Sequence, residues 1–373
     1  MKRAAVALAW AFLASGCAGS VAPIANETAP SASPVDAARA GSAAARRAVR
    51  IRFFVASESS DQVWVLEGEP LSVIAKIPVG RFPHNLSVSP DGRWIAVANR
   101  FANSASIIDP RTMREVARVM VGKQPHDIIW SPDAKTIFVG AEREAYIYRI
   151  EADTWKSLSP LSVQVPQHTL AIWKDRPNEL WFTVTNAPQT ANALRVYDFT
   201  SSTVTAIAVS DVHDVFFSPD GSEVWSSSSG YLCKPSDRMV VYDPLTKKVK
   251  QEIRFPGHYP FHTIKYDRDA TFFIDQTDTM VLSDHQAEAL LIVDWRERAI
   301  KATIPLKDPS LPLNPTNAKC GIQPFHTAYA PGRYYVTSNA DNSVRVVDAE
   351  EQRVLYRVEV PTPHGIVLVP LDQ

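Results

Sequence analysis

The chain has 373 residues, 45% of them hydrophobic, with 39 Lys/Arg against 40 Asp/Glu. A near-neutral balance with no stripe of Lys/Arg excludes a nucleic-acid binder that works through a basic face. At this length two or three ordinary domains would be expected, unless small repeated units close into one.

Residues 1–17 read MKRAAVALAWAFLASGC. Lys2 and Arg3 are a positive start, Ala4 to Leu13 an apolar run too short to span a bilayer, and Ala14-Ser15-Gly16 a small-residue exit, which together predict an export signal. The small residues before Cys17 resemble a bacterial lipoprotein box, with Ala14 where that pattern usually has Leu. The resemblance implies that Cys17 is lipidated and becomes the mature first residue. A periplasmic or outer-envelope protein, anchored to a membrane by that lipid, is expected. Residues 18–50, dominated by Ala, Ser and Pro, read as a tether.

From residue 51 the pattern becomes short alternating runs. Arg52–Ser57, Gln62–Leu66 and Val73–Val79 are strand-like and separated by turn residues. Two units of equal length follow, at 80–121 and 122–163. Each is a His-led strand, a Ser-Pro-Asp turn, a strand, a polar loop and two more strands. In Pro90-Asp91-Gly92 and Pro219-Asp220-Gly221 the Pro fixes φ and the Gly accepts positive φ. Four strands in about 42 residues make one propeller blade. Counting onward predicts seven blades over 51–373. The three strands at 51–79 join the last strand, His364–Pro370, so that no sheet edge stays open. The fold class is an all-β, seven-bladed propeller, and a monomer is expected.

The residues then suggest a family. Tyr335-Val-Thr-Ser-Asn339 followed by Asp341–Asp348 resembles the YVTN repeat of bacterial and archaeal seven-bladed propellers, and Ile95–Asn99 with Ser106–Pro110 is a weaker copy. The resemblance covers 51–373 and implies the fold, since related propellers serve as binding proteins, haem carriers and enzymes. A weaker resemblance to lactonase-type propellers rests on Pro-x-His before a strand.

Seven of the nine histidines fall at one place in the repeat: His84, His126, His168, His213, His262, His326 and His364. A His at the head of each innermost strand stands at one mouth of the central channel. Neutral imidazole is the commonest side-chain ligand of copper, zinc and iron, and an all-nitrogen site in an oxidising compartment favours copper or zinc. One mouth cannot aim seven rings at one ion, so three or four would ligate and the rest orient. Against this stands a structural reading, in which each His hydrogen-bonds the next blade.

Three functions stay open on the sequence: a metal or metal-bearing ligand held by the histidine ring, an envelope protein-interaction scaffold, and a lactonase-like hydrolase. A small ligand or a protein partner would meet the His-bearing face. The segments 226–237, 275–286 and 307–323 read as long loops elaborating that face. Cys233 and Cys320 lie in two of them; with Cys17 lipidated they are the remaining pair and are read as a disulfide, a thiolate ligand being the alternative. His258 and His285 are surplus to the ring. No catalytic residue is assigned: Asp127, Asp214 and Arg195 do not stand out from ordinary polar positions. Asp109, Asp198, Asp243, Asp294 and Asp348 recur at the ends of third strands, as turn residues.

Overall fold

The computed structural model describes residues 50–184, 193–228, 236–263, 279–284, 288–306 and 326–371. Cys17, Cys233, Cys320 and His285 lie outside them, as do the export-signal and tether segments.

The described residues form seven four-stranded antiparallel sheets. Blades 1 to 6 are continuous in sequence: 83–120, 125–162, 167–207, 215–254, 260–305 and 327–359. Blade 7 is closed by both ends of the chain. Its innermost strand is Pro363–Pro370, paired with Ile51–Ser57 through Phe53↔Leu368, Phe54↔Val367 and Val55↔Ile366. The closure read from the sequence is therefore correct.

Burial explains the strand order within a blade. The innermost strand Pro83–Val88 and the second strand Ile95–Asn99 are buried along their whole length, because both faces pack against neighbouring blades. The outermost strand Arg114–Met120 alternates exposed and partly buried positions, as expected of a strand with one wet face. Between blades 7 and 1 lie Phe54, Val65, Val367, Leu86, Val88, Ile95 and Val97; between blades 3 and 4 lie Trp181, Val215, Phe217 and Tyr242. Each inter-blade layer is a separate apolar cluster, which is how a ring of sheets divides one core into several.

The turn residues act as expected. Asp109, Asp198, Asp243, Asp294 and Asp348 each accept the backbone N–H groups two and three residues on. In the Ser-Pro-Asp turns Ser89, Ser131 and Ser218 donate to Asp91, Asp133 and Asp220. Gly221 has φ +70°, and a Cβ there would stand 2.1 Å from the Trp173 indole, so glycine is required twice over.

Two loop assignments need correction. Thr279–Asp284, inside the expected loop 275–286, is the second strand of blade 5, paired with Ala289–Asp294. Ser226 and Ser227, at the start of the expected loop 226–237, end the second strand of blade 4. In both segments serines and aspartates concealed a short strand, because packing between blades overrides their weak strand propensity.

Candidate metal centre

The turn before each innermost strand sets the histidine. In Phe82-Pro83-His84, Gln124-Pro125-His126, Asp211-Val212-His213 and Thr362-Pro363-His364 the first residue has positive φ, between 38° and 58°. Its conformation is held from the preceding blade: Asp61 accepts the Phe82 amide at 2.9 Å, Asn103 the Gln124 amide at 3.1 Å and Asn342 the Thr362 amide at 2.8 Å. The reversal points the side chain two residues later into the channel.

All seven expected histidines meet there. Each imidazole contacts the next, in the order 84, 126, 168, 213, 262, 326, 364 and back to 84, with ring centroids 3.6–5.3 Å apart. The circle is closed and tight. Two contacts are nitrogen to nitrogen, His84 Nε2 to His126 Nε2 at 2.9 Å and His168 Nε2 to His213 Nε2 at 2.8 Å.

A second layer of charged residues lies against this circle. Glu58, Arg100 and Glu142 each follow the last residue of a second strand, in blades 7, 1 and 2. Their amides bond to the carbonyls of Thr362, Phe82 and Gln124, the residues that turn the histidines inward. The same hydrogen bond in three blades sets three side chains at the same position of the repeat, against the circle. Glu58 Oε1 meets His84 Nδ1 at 2.5 Å, Glu142 Oε1 meets His168 Nδ1 at 3.0 Å, and Arg100 pairs with Glu142. Asn339, in the corresponding position of blade 6, donates to Glu58 Oε2 at 3.2 Å. Asp214 supplies a third carboxylate, 3.3 Å from His262 Nδ1.

The hydrogen-bond chain fixes the protons. A carbonyl only accepts, so His126 Nδ1 carries a proton and donates it to the His168 carbonyl at 3.1 Å. Burial, with the neighbouring His168 and His84 and the Arg100 charge, holds His126 well below the usual histidine range, so the ring is neutral and its Nε2 is bare. That nitrogen accepts from His84 Nε2. Burial, His364 and Arg100 hold His84 low as well, which leaves its Nδ1 as an acceptor. Its partner Glu58 must then be the donor, a protonated carboxylic acid. Electrostatics agrees: burial pushes Glu58 up to about 8, against the opposing effects of Arg100 and Asn339. Glu142 ends in the opposite state. Burial pushes it up, but the His168 hydrogen bond and the Arg100 charge outweigh that and hold it below the usual carboxylate range.

Two groups have ligand atoms close enough to share one ion: Glu58, His84 and His364, and His126, Glu142 and His168, each within 4.8 Å. They are not equivalent. Glu142 is already engaged by Arg100, whereas Glu58 has only neutral partners. His364 is 9% exposed; its ring interacts with the His84 backbone, but its Nδ1 makes no hydrogen bond of full geometry among the described residues. A buried imidazole nitrogen that is poorly bonded costs free energy until a better partner binds it. Burial, His262 and Arg100 also hold His364 well below the usual range, in the neutral form that ligates. Glu58, His84 and His364 therefore fit a divalent cation.

The sequence matches the YNCE-like β-propeller family over residues 9–205, just over half the chain. The chain belongs to that family. The YVTN-type propeller expected from the repeat is consistent with it. No curated protein matches the sequence. Among solved structures, this YNCE-like propeller is similar to a protein of unknown function from Desulfotomaculum acetoxidans, at TM-score 0.66 and 11% identity, covering 86% of this chain and 99% of that one. It is also similar to AztD from Citrobacter koseri, at TM-score 0.61, 14% identity and 87% and 99% coverage. A third likeness is to Kuenenia stuttgartiensis hydrazine synthase, at TM-score 0.60, 14% identity and 83% and 92% coverage. At such identities the likeness is one of fold.

The structure of this YNCE-like propeller assembles every ring histidine but splits their roles. His84, His168 and His262 are each oriented by a carboxylate, while His126 reaches the backbone of the next blade. His258 lies apart from the circle and pairs with the buried Asp284 at 3.0 Å. Of the polar residues set aside on the sequence, Asp214 joins the site, and Asp127 braces the blades by accepting the Leu170 amide at 2.8 Å. Sequence reasoning missed Glu58, Arg100 and Glu142. The signal was present: they stand 42 residues apart, the spacing of His84, His126 and His168.

Proposed function

We propose that this YNCE-like propeller is an exported metal-binding protein that holds one copper or zinc ion at the channel mouth, through Glu58, His84 and His364. The observation that carries the reading is the convergence of three buried ligand atoms, from Glu58, His84 and His364, all within 4.8 Å of one another. Two imidazoles and one carboxylate are a donor set that suits both metals and leaves a coordination position open. Binding would take the proton from Glu58, since a ligating carboxylate is ionised. Asn339 would hold the second carboxylate oxygen and so orient the ligand. The other ring histidines then act as a tightly packed wall.

The export signal and lipidation at Cys17 belong to the same proposal: a tethered propeller at the membrane surface would bind metal in the envelope. Mass spectrometry of the exported protein should find a diacylglyceryl modification on Cys17, lost in Cys17→Ser. An unmodified mature chain would remove the anchor from the proposal.

Metal analysis after equilibrium dialysis against zinc or copper(II) tests the main reading. One ion per chain in the native protein, and under a tenth in His364→Ala with unchanged circular dichroism, is the expected result. Occupancy of only a few per cent in the native protein would end it. A second reading, a scaffold with structural histidines, is supported by the His126 hydrogen bond to the His168 carbonyl, which ties blade 2 to blade 3. It predicts no metal and a fold that loosens when His126 is changed.

A further inference from the structure

The seven blades differ at their outer edges. In six of them the third and fourth strands pair with a register shift, because the outer strand carries one extra residue. Blade 3 is the exception: Thr203–Ile207 pairs with Leu194–Asp198 residue for residue, without a bulge. The chain shows the cause. Val121 stands 12 residues after Asp109, as Phe255 does after Asp243, Leu306 after Asp294 and Val360 after Asp348, but Val209 stands 11 after Asp198. Blade 3 lacks the residue that the bulge needs.

It also lacks the other protections of an edge. An unpaired edge strand is a template for another strand, and proteins blunt it with bulges, charges or proline. The six other outer strands contain Lys76, Arg118, Pro160, Lys250, Lys301 and Arg357, one in each. Thr203–Ile207 has neither charge nor proline, and no charged residue stands between Asp198 and Asp211. Thr203, Thr205 and Ala206 are exposed, and Thr, Val and Ile favour a pleated surface. Among the described residues its one strand neighbour is Leu194–Asp198.

The occupant follows from the same properties. An uncharged, regular edge accepts an uncharged, regular strand, and among the seven outer strands only Thr203–Ile207 itself has that character. Two copies about a two-fold axis would pair antiparallel, each supplying the strand that the other lacks. Five residues alone bury less than a stable interface needs. The adjacent outer strand of blade 2, Ser157–Ser162, has no charged residue either and widens the contact.

We propose that this YNCE-like propeller forms a two-fold dimer through the outer edge of blade 3, in place of the monomer expected from the sequence. The contact lies on the perimeter, whereas the histidines head the innermost strands, so it is independent of the metal reading.

Sedimentation velocity of the full chain carrying Cys17→Ser, metal-free and under reducing conditions, tests it. A reversible monomer–dimer equilibrium in the micromolar range is expected. Thr205→Lys sets like charges on the facing edges and should weaken the dimer by about tenfold or more, with unchanged circular dichroism. Inserting one Lys after Val204 restores the longer spacing and should act in the same way. Hydrogen exchange needs no variant: amides in 203–207 should gain protection as concentration rises, while those of Arg114–Met120 stay unchanged. A chain that remains monomeric, a dimer that Thr205→Lys leaves intact, or concentration-dependent protection at another edge would overturn the proposal. So would assembly beyond a dimer, since a two-fold contact closes on itself.

Discussion

Glu58–His84–His364 and His126–Glu142–His168 are built from the same residue types, at the same places in neighbouring blades. Their carboxylates nevertheless sit in opposite states. Burial pushes Glu58 up to about 8, while Glu142 is held low by His168 and Arg100. The difference arises from one repeat position: the residue that precedes Glu142 by 42 places is Arg100, a cation, and the corresponding residue of blade 6 beside Glu58 is Asn339, which is neutral. A buried carboxylate beside a fixed cation is a satisfied ion pair. One beside an amide is an acid waiting for a cation.

The largest expected effects come from breaking the two clusters separately. Glu58→Ala or His364→Ala should lower zinc or copper affinity by more than about 100-fold, since even partners of a ligand are worth about 10–100-fold. Glu142→Gln should change affinity by less than about tenfold while destabilising the fold, because it leaves Arg100 buried without its counter-charge. Isothermal titration with both metals, alongside thermal denaturation, separates these outcomes. Equal losses in the two sets of variants would erase the distinction between the clusters.

Arg100→Gln tests whether the cation is what makes them differ. With Arg100 gone, Glu142 is a buried carboxylate between two imidazoles, as Glu58 is now. The expected stoichiometry rises from one ion per chain to two, measured by metal analysis after dialysis. A stoichiometry that stays at one would mean that His126 Nε2, engaged by His84 Nε2 at 2.9 Å, cannot be released to ligate.

The same contrast appears in stability against pH. His84, His126 and His364 have depressed values, so the unfolded chain takes up protons that the native ring refuses. Their contribution is present above about 6.5 and is lost as pH falls below it. Glu142, also depressed, adds to the acid loss. Glu58 is raised, so its contribution is full below the ordinary carboxylate value and is lost as pH rises through about 8. Denaturant unfolding of the metal-free protein should therefore show maximal stability near pH 6.5, with a steep acid side and a decline of on the order of 2 kcal/mol toward pH 8. Glu58→Gln, a neutral side chain that can still donate to His84, should flatten the alkaline side alone. A curve that keeps rising to pH 8 would contradict the protonated Glu58.

How much of this could be read from the chain depends on the length scale. Seven blades and the closure of 51–79 onto 364–370 were legible, because each blade repeats its burial pattern and its turn residues. The circle of histidines was legible for the same reason. The two loops read at 226–237 and 275–286 failed where polar residues such as Ser226 and Asp284 occupy buried strand ends. Glu58, Arg100 and Glu142 share a repeat position but not a residue type, so a search for one repeated side chain passes over them. Their opposed protonation depends on contacts across blades, which spacing alone does not specify.

The smallest prediction isolates the neutral partner. Asn339 Nδ2 donates to Glu58 Oε2 at 3.2 Å, a bond that favours the ionised carboxylate and offsets part of the burial effect. Asn339→Ala should raise Glu58 above about 8 and weaken metal binding by several-fold up to about tenfold, within the range seen for partners of a ligand. The fold should hold, since one hydrogen bond to a protonated acid contributes only about 1 kcal/mol. Infrared spectroscopy of the metal-free protein would follow the carboxylic acid C=O band against pH, in Asn339→Ala and in the native chain. A titration that does not move, with metal affinity unchanged, would show that His84 alone orients Glu58 and that Asn339 merely fills the space Arg100 occupies in the other cluster.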